Sequence, residues 1–542
     1  MDIIFYMARE NNKIIILLCG LLIFLFSFII YFDSFKNGFL AGDDEEIVLR
    51  NTYLNNWGDF PKFFTENYKA GSGTISNYWR PFQLLPYGII AKTTGIKPWP
   101  FHFSSILFHS LCGLLLYLLF LKLLYPRITL PVIVFTDMLW LSLPAHNEEL
   151  AVATGLASPL HLFWMLLGLL AFLYFNDGQK IRWYIISLIS FVFSLFSKES
   201  AVVFPGLILG VQLAGMRAGI LKEIRPAKLL RIFSPFWLIA FIYIILRLTL
   251  FNFSNTLNFY SQANIFTEHL LYRLYTLFTI LARGLVIIFF PVGIHPETSW
   301  PVFTNFLAPQ VFLSFLILSA MIILAVINWK KRPLFTFGIF WFFFSYLPMA
   351  NLVAKINALV WDHWLYIPSV GIFLSLASLL QGKLIRRAAC FILVTLLIIL
   401  SILTFSRSRY WRDTEAISSF ILRHEPASAK TWNNLATALD GKGRYQEAIA
   451  SYAKAIDIED IYPQSHHNLA NVYLALGKYG LAEEEYLKAI KMDGNFFYSY
   501  LALGKLYLAW GEKEKAGYFI RKALSIYPGS LEARELSRRL PN

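Results

Sequence analysis

Ile14 to Phe32 is an almost unbroken apolar run of 19 residues, long enough for a helix to cross about 30 Å of hydrocarbon. Ten further runs follow, roughly at 103–124, 128–143, 150–175, 183–196, 201–213, 232–250, 311–328, 334–350, 364–380 and 388–405. Backbone polar groups inside hydrocarbon have to be satisfied within their own segment, so each run is predicted as a transmembrane helix, and about eleven crossings result. The whole chain is 57% hydrophobic and only 15% charged, where soluble domains carry about 25% charge. That charge is uneven. Residues 407–542 hold 19 Lys/Arg and 16 Asp/Glu, against 29 and 18 in the 406 residues before them, so a membrane domain over 1–406 is expected to precede a soluble domain over 407–542. The fold class is therefore all-α.

The net charge of +14 is explained by Lys/Arg on cytoplasmic loops, and no nucleic-acid partner is inferred. Cys19, Cys112 and Cys390 each fall in an apolar run and read as packing residues, not as a disulfide framework. Arg9 and Lys13 flank the first run, which reads as an anchor with its N-terminus in the cytoplasm. With eleven crossings, the clusters Lys122/Arg127, Lys180/Arg182, Arg217 to Arg231, Lys330 to Arg332 and Lys383 to Arg387 all face the cytoplasm. Leu271 to Phe290, which carries Arg273 and Arg283, would break that parity and is predicted as a re-entrant or interfacial helix on the outer side. The extracytoplasmic face then collects the loop from Asp33 to Phe101, the turn His146 to Glu149, the loop Lys355 to His363 and the C-terminal domain. A prokaryotic cytoplasmic membrane is the expected compartment.

Behind the last apolar run, Leu435, Leu469 and Leu503 recur at intervals of 34, as do Ala448, Ala482 and Ala516, and Ala455, Ala489 and Ala523. Period and residue types match the tetratricopeptide helix-turn-helix, in which small residues let paired helices approach closely. Three repeats are predicted over about 429–462, 463–496 and 497–530, with a half-repeat at Trp411 to Leu422 and a charged capping helix from Leu531 to Leu540. Such a solenoid has a concave groove suited to an extended peptide, and Asn434, Asn468 and Asn471 are candidates for lining it. Asn is also frequent at these repeat positions, and a surface for a partner subunit is the alternative.

Chemistry-bearing residues cluster next to the runs. Gly42-Asp43-Asp44-Glu45-Glu46 sets four carboxylates side by side, an arrangement that costs repulsion unless it binds a cation, supplies a base or lies in a solvated turn. Tyr78-Trp79-Arg80-Pro81-Phe82 surrounds one guanidinium with aromatic rings, which suits either a phosphate or lipid headgroups. Pro144-Ala145-His146-Asn147-Glu148-Glu149 and Ser197-Lys198-Glu199-Ser200 put charge close to hydrocarbon, where ionisable groups are functional candidates; a structural ion pair of Lys198 with a carboxylate is equally in keeping with its position. Trp361-Asp362-His363-Trp364-Leu365-Tyr366-Ile367-Pro368-Ser369 adds a histidine beside an aromatic belt.

The order of these motifs, followed by tetratricopeptide repeats, resembles the transmembrane and tetratricopeptide-repeat-containing O-mannosyltransferase-like proteins of the C-superfamily of polytopic glycosyltransferases. That resemblance implies a polyprenyl-phosphate-linked sugar donor, a site at the bilayer open to the outer side, inversion at the anomeric carbon, and a base from the acidic pair, here Asp43 or Asp44. Where relatives show Glu-Arg-Tyr-Leu-Tyr-Leu-Pro-Ser, this chain has Asp362-His363-Trp364-Leu365-Tyr366-Ile367-Pro368-Ser369, so binding of the donor phosphate passes to Arg80, Lys198, His363, Arg273 or Arg283. His146 and Glu148 are the second-loop candidates. A divalent Mg or Mn on Asp43, Asp44 and Glu148 suits oxygen ligands but is not required. The expected reaction moves a sugar, mannose or another hexose, to a hydroxyl acceptor, with Ser/Thr of a protein held by the repeats as the expected one. The rival is a non-catalytic membrane-anchored scaffold for an envelope complex, since fold alone proves no chemistry.

Overall fold

The computed structural model describes residues 10–74, 76–252, 265–352, 356, 358–380 and 383–539; Arg9 and Lys355 of the motifs above, and Leu540 of the capping helix, lie outside these. The protein is all-helical, 77% helix with no strand among the described residues, and divides into two compact units, Met1–Arg412 and Asp413–Asn542.

The first unit begins with α1 (Glu10–Ile30), continues through a loop of short 3-10 and π turns, and then runs α2 (Pro81–Thr94), α3 (Pro98–Leu124), α4 (Leu130–Leu141), α5 (Asn147–Ala151), α6 (Ala157–Gly178), α7 (Ile181–Ser197), α8 (Phe204–Arg217) and α9 (Pro226–Leu248). It ends with α10 (Ile265–Glu268), α11 (Leu270–Phe289), α12 (Pro309–Asn328), α13 (Pro333–Tyr346), α14 (Pro368–Leu379) and α15 (Lys383–Ser408). Proline opens many of these helices, where its missing N–H has no intrahelical partner to lose. Eight helices among the described residues are long and apolar enough to cross a membrane, by length and composition, and four shorter apolar helices accompany them. Small residues let neighbours approach: a side chain at Gly338 of α13 would meet the Gly371 carbonyl of α14, the close approach that membrane helices favour. All three cysteines are free, with Cys112 buried.

The first and last of these helices finish at the same end of the bundle. Asn37, just past α1, donates to the carbonyls of Ala151 (3.1 Å) and Ser408 (3.4 Å), Gly38 N–H donates to Arg412 O (2.9 Å), and Asp33 pairs with Arg409 at 3.2 Å. Asn147 of α5 reaches the Thr404 carbonyl of α15 (2.9 Å). Helix α11 is a continuous 20-residue helix, long and apolar enough to cross by length and composition, which an interfacial helix can also be. Its polar side chains nevertheless reach loops. Arg273 donates to the carbonyls of Asn351 (2.8 Å) and Leu352 (3.2 Å), and Arg283 forks onto Asp362.

The second unit comprises α16 (Thr414–Leu422), α17 (Ala429–Gly441), α18 (Tyr445–Ile458), α19 (Pro463–Ala475), α20 (Tyr479–Met492), α21 (Phe497–Ala509), α22 (Lys513–Ile526) and α23 (Leu531–Arg538). Three antiparallel pairs, α17/α18, α19/α20 and α21/α22, repeat with the sequence period. Ala448, Ala482, Ala516, Ala489 and Ala523 are fully buried between helices. Each pair turns at a glycine with positive φ, Gly443 (73°), Gly477 (71°) and Gly511 (79°), the left-handed conformation that ends a helix at least cost when no Cβ is present.

Candidate active site

The acidic run after α1 separates into carboxylates with opposite surroundings. Asp44 is 1% exposed; its Oδ2 accepts from Leu40 N–H (2.9 Å), and its Oδ1 accepts both the N–H (2.9 Å) and the hydroxyl (2.7 Å) of Thr154. Burial pushes its pKa up to about 6, against the pull of those donors. The Asp43 side chain is 68% exposed and pairs with Lys69 at 2.8 Å, and the same ammonium holds Glu46 at 2.5 Å. Burial opposes the charge on Lys69, but the two carboxylates raise its pKa above the ordinary lysine value. Glu45 pairs with Arg50.

A second group assembles from three sequence segments. Lys198, after α7, donates to Ser158 Oγ of α6 (2.7 Å) and lies 3.5 Å from Glu149 of α5, while Ser158 donates to the same Glu149 oxygen (2.5 Å). His363 stands 2.9 Å from Glu148 and 3.8 Å from Glu149. Burial works against charge on Glu149, yet Lys198 and His363 bring its pKa below the ordinary carboxylate value. Burial likewise opposes the imidazolium of His363, and Glu148 and Glu149 lift its pKa. Arg80, at the head of α2, makes a two-pronged pair with Glu199 (3.0 and 2.6 Å) and lies 4.3 Å above the Tyr78 ring.

Of the residues picked from sequence, Lys198, His363 and Glu148 are thus brought together, and Asp43 and Asp44 sit on a turn tied through Thr154 to the segment that carries Ser158. Several are not. Arg80 is forked onto Glu199, so its guanidinium already has an anionic partner. Arg273 is spent on backbone carbonyls. His146 is fully buried in an aromatic box with Tyr366 (4.5 Å), Trp140 (5.0 Å) and His109 (5.6 Å); burial, with His109 adding to it, drives its pKa well below the ordinary histidine value. Asp43, Asp44 and Glu148 do not gather into a ligand set: among the described residues no three His, Cys, Asp or Glu side chains form a metal-holding group, and each of the three carboxylates is engaged by Lys69, by the Leu40 and Thr154 donors, or by His363. Sequence reasoning placed Glu149 and Glu199 in its charged motifs without giving either a role, and passed over Ser158, Lys69 and Thr154, which nothing local singles out.

In the second unit Asn471 accepts from the Tyr486 hydroxyl (2.5 Å) and Asn468 donates to Thr437 at 3.5 Å. Both therefore brace helix pairs, and with Asn434 they are half-buried.

A bundle of apolar helices with an ionic cluster at one end, joined in sequence to a tetratricopeptide unit, is the class of protein that this fold defines. Known proteins are similar to this chain in sequence or in its repeats. The tetratricopeptide repeat family matches residues 428–495 and 467–530. A Caenorhabditis elegans protein named Protein O-mannosyl-transferase is 22% identical over 453 residues, covering 82% of this chain and 63% of its own length. The mouse Protein O-mannosyl-transferase TMTC1 is 26% identical over 245 residues, covering 42% of this chain and 26% of its own. The chain thus spans less than two thirds of the length of these curated relatives. Among solved structures, the first tetratricopeptide domain of human RPAP3 is 25% identical over 21% of this chain and 90% of that one, with a TM-score of 0.20.

Proposed function

We propose that this protein is an inverting glycosyltransferase that moves a sugar, mannose or another hexose, from a polyprenyl-phosphate donor to a hydroxyl of a protein held by the repeats. The observation that carries the reading is the exposed Asp43 carboxylate, set beside a buried Asp44 that anchors its turn to the segment bearing Ser158, which bonds Lys198. The similarity to a Caenorhabditis elegans protein named protein O-mannosyl-transferase over 82% of the chain points the same way.

The acceptor oxygen attacks the anomeric carbon as the bond from that carbon to the donor phosphate oxygen breaks, and the lipid leaves as its monophosphate. An alcohol scarcely ionises at neutral pH, so its proton has to pass to a carboxylate as the new bond forms. Exposure favours one of the two candidates, because a base has to reach the proton it takes. The Asp43 side chain is 68% exposed, with the Lys69 ammonium 2.8 Å away; Asp44 is 1% exposed and serves as anchor. The departing phosphate gains negative charge, which Lys198 offsets, joined by His363 whenever its ring is protonated, while Arg80 is forked onto Glu199 by two hydrogen bonds. No step is routed through a metal. The meeting of the ends of α1 and α15 at one end of the bundle supports an odd number of crossings; a cytoplasmic N-terminus and an acidic turn on the outer side of a prokaryotic cytoplasmic membrane complete the proposal, argued from the Lys/Arg clusters of the sequence alone.

The test is sugar release from radiolabelled polyprenyl-phosphate monosaccharides by detergent-purified protein, with extracytoplasmic protein as acceptor, run beside Asp43→Ala. Transfer to protein that is lost in the variant is the expected result. No consumption of any donor, together with recovery of a defined complex on the repeats, would leave the scaffold reading in its place.

A further inference from the structure

Residues 152–156, which join α5 to α6, and Ser158 in the first turn of α6 serve both halves of the site. Thr154 gives its N–H and its hydroxyl to the same oxygen of Asp44, and four residues later Ser158 links Lys198 to Glu149. The segment is itself clamped. Gln83 donates to the Thr154 carbonyl (3.0 Å) and Leu156 N–H donates to the Tyr87 hydroxyl (3.3 Å), while Gly155 lies so near the Glu149 carbonyl that a Cβ there would overlap it. A buried carboxylate depends on its donors far more than an exposed one, because no water replaces a lost bond. The Thr154 hydroxyl is one of three donors to Asp44, and it comes from a residue 110 positions away.

We propose that Thr154 is a positioning residue for the transfer reaction: by holding Oδ1 of Asp44 with two donors it fixes the turn on which Asp43 faces outward. The inference rests on the reading of Asp43 as base. Burial already drives Asp44 up to about 6 against its three donors, so loss of the hydroxyl moves its protonation to higher pH and slackens the bond to Leu40. The titratable groups that face Asp44, namely Asp43, Tyr68 and Tyr87, are untouched by substitutions at Thr154.

The experiment compares full-length wild type, Thr154→Val and Thr154→Ser in detergent by two readouts. In the first, the infrared band of the protonated Asp44 carboxyl, assigned by its loss in Asp44→Asn, is titrated with pH. In the second, kcat/KM for transfer is measured against pH per folded molecule. In Thr154→Val the infrared midpoint rises by about one pH unit, and kcat/KM falls on the order of tenfold to a hundredfold, as for a lost hydrogen bond to a charged group, with its acid limb displaced to higher pH. Thr154→Ser restores both. An infrared midpoint in Thr154→Val equal to that of wild type overturns the proposal whatever the yield of folded protein, as does a wild-type pH profile. If the wild type consumes no donor, the transfer reading fails, and the infrared midpoint still decides whether Thr154 holds Asp44.

Discussion

The opposed surroundings of Asp43 and Asp44 give a stability measurement with a definite sign. Asp44 is raised to about 6 by burial, against about 3.9 for an unfolded aspartate. A carboxyl whose folded pKa is raised binds its proton more tightly in the native state. Its contribution is therefore fully present below about pH 4 and is lost as pH rises through about 6. A shift of about 2 units corresponds to about 3 kcal/mol. Asn at this position does not titrate, so the stability of wild type minus that of Asp44→Asn should fall by about 3 kcal/mol between pH 4 and pH 7, an order-of-magnitude figure. The subtraction cancels every group common to both proteins and any constant cost of the amide. Asp43→Asn, at a side chain 68% exposed, should change stability by about 1 kcal/mol or less, while transfer falls roughly 10²- to 10⁴-fold. The assay is denaturant unfolding in detergent followed by tryptophan fluorescence, with transfer measured on the same samples. A difference curve for Asp44→Asn that stays flat, or climbs with pH, would mean that the Leu40 and Thr154 donors match or outweigh burial, and the assignment of Asp44 as a carboxyl raised by burial would be refuted.

Three further outcomes are expected. Lys198→Met leaves Glu149 buried without its lysine and should destabilise by about 3 kcal/mol as well as abolish transfer; in a cycle with Glu149→Gln, the double variant should be more stable than the sum of the singles by about 1 kcal/mol or more, and strict additivity would show that the two do not interact. Gly155→Ala forces a Cβ onto the Glu149 carbonyl and should cost about 1–3 kcal/mol, read by unfolding in detergent. In the repeats, His466 lies 2.5 Å from Glu485 and 2.8 Å from Asp460, and its hydrogen bond to Glu485, joined against burial by Asp460, raises its pKa. That stabilisation is complete below about pH 6.5 and is lost as pH rises through the higher folded value, so amide protection factors in α19, corrected for the intrinsic exchange rate at each pH, should fall above neutrality in wild type and stay level in His466→Gln.

Hydropathy and periodicity are properties of neighbouring residues, and what depends on them was legible in the chain: the apolar helices, and the 34-residue recurrence of Leu and Ala that places Ala482 and Ala489 between helices. Leu270–Phe289 shows the limit of that reading. Its apolar length matches a crossing, yet its arginines find loop carbonyls and Asp362, and only packing tells which of the two a helix answers to.

The candidate site divides along the same line. The sequence by itself determined that carboxylates, Lys198 and His363 stand beside apolar segments, because charge near hydrocarbon is conspicuous in any linear reading. It left Asp43 and Asp44 equivalent, since adjacent residues on a turn differ only in which way each one points. Tertiary structure separated them through Thr154, and it settled which carboxylate each cation meets: Glu199 for Arg80, 119 residues away, and Glu149 for Lys198, 49 residues away. An ion pair forms where helix packing sets two side chains a few ångströms apart, and that distance is fixed by how the whole bundle closes, which the residues flanking each charge do not encode.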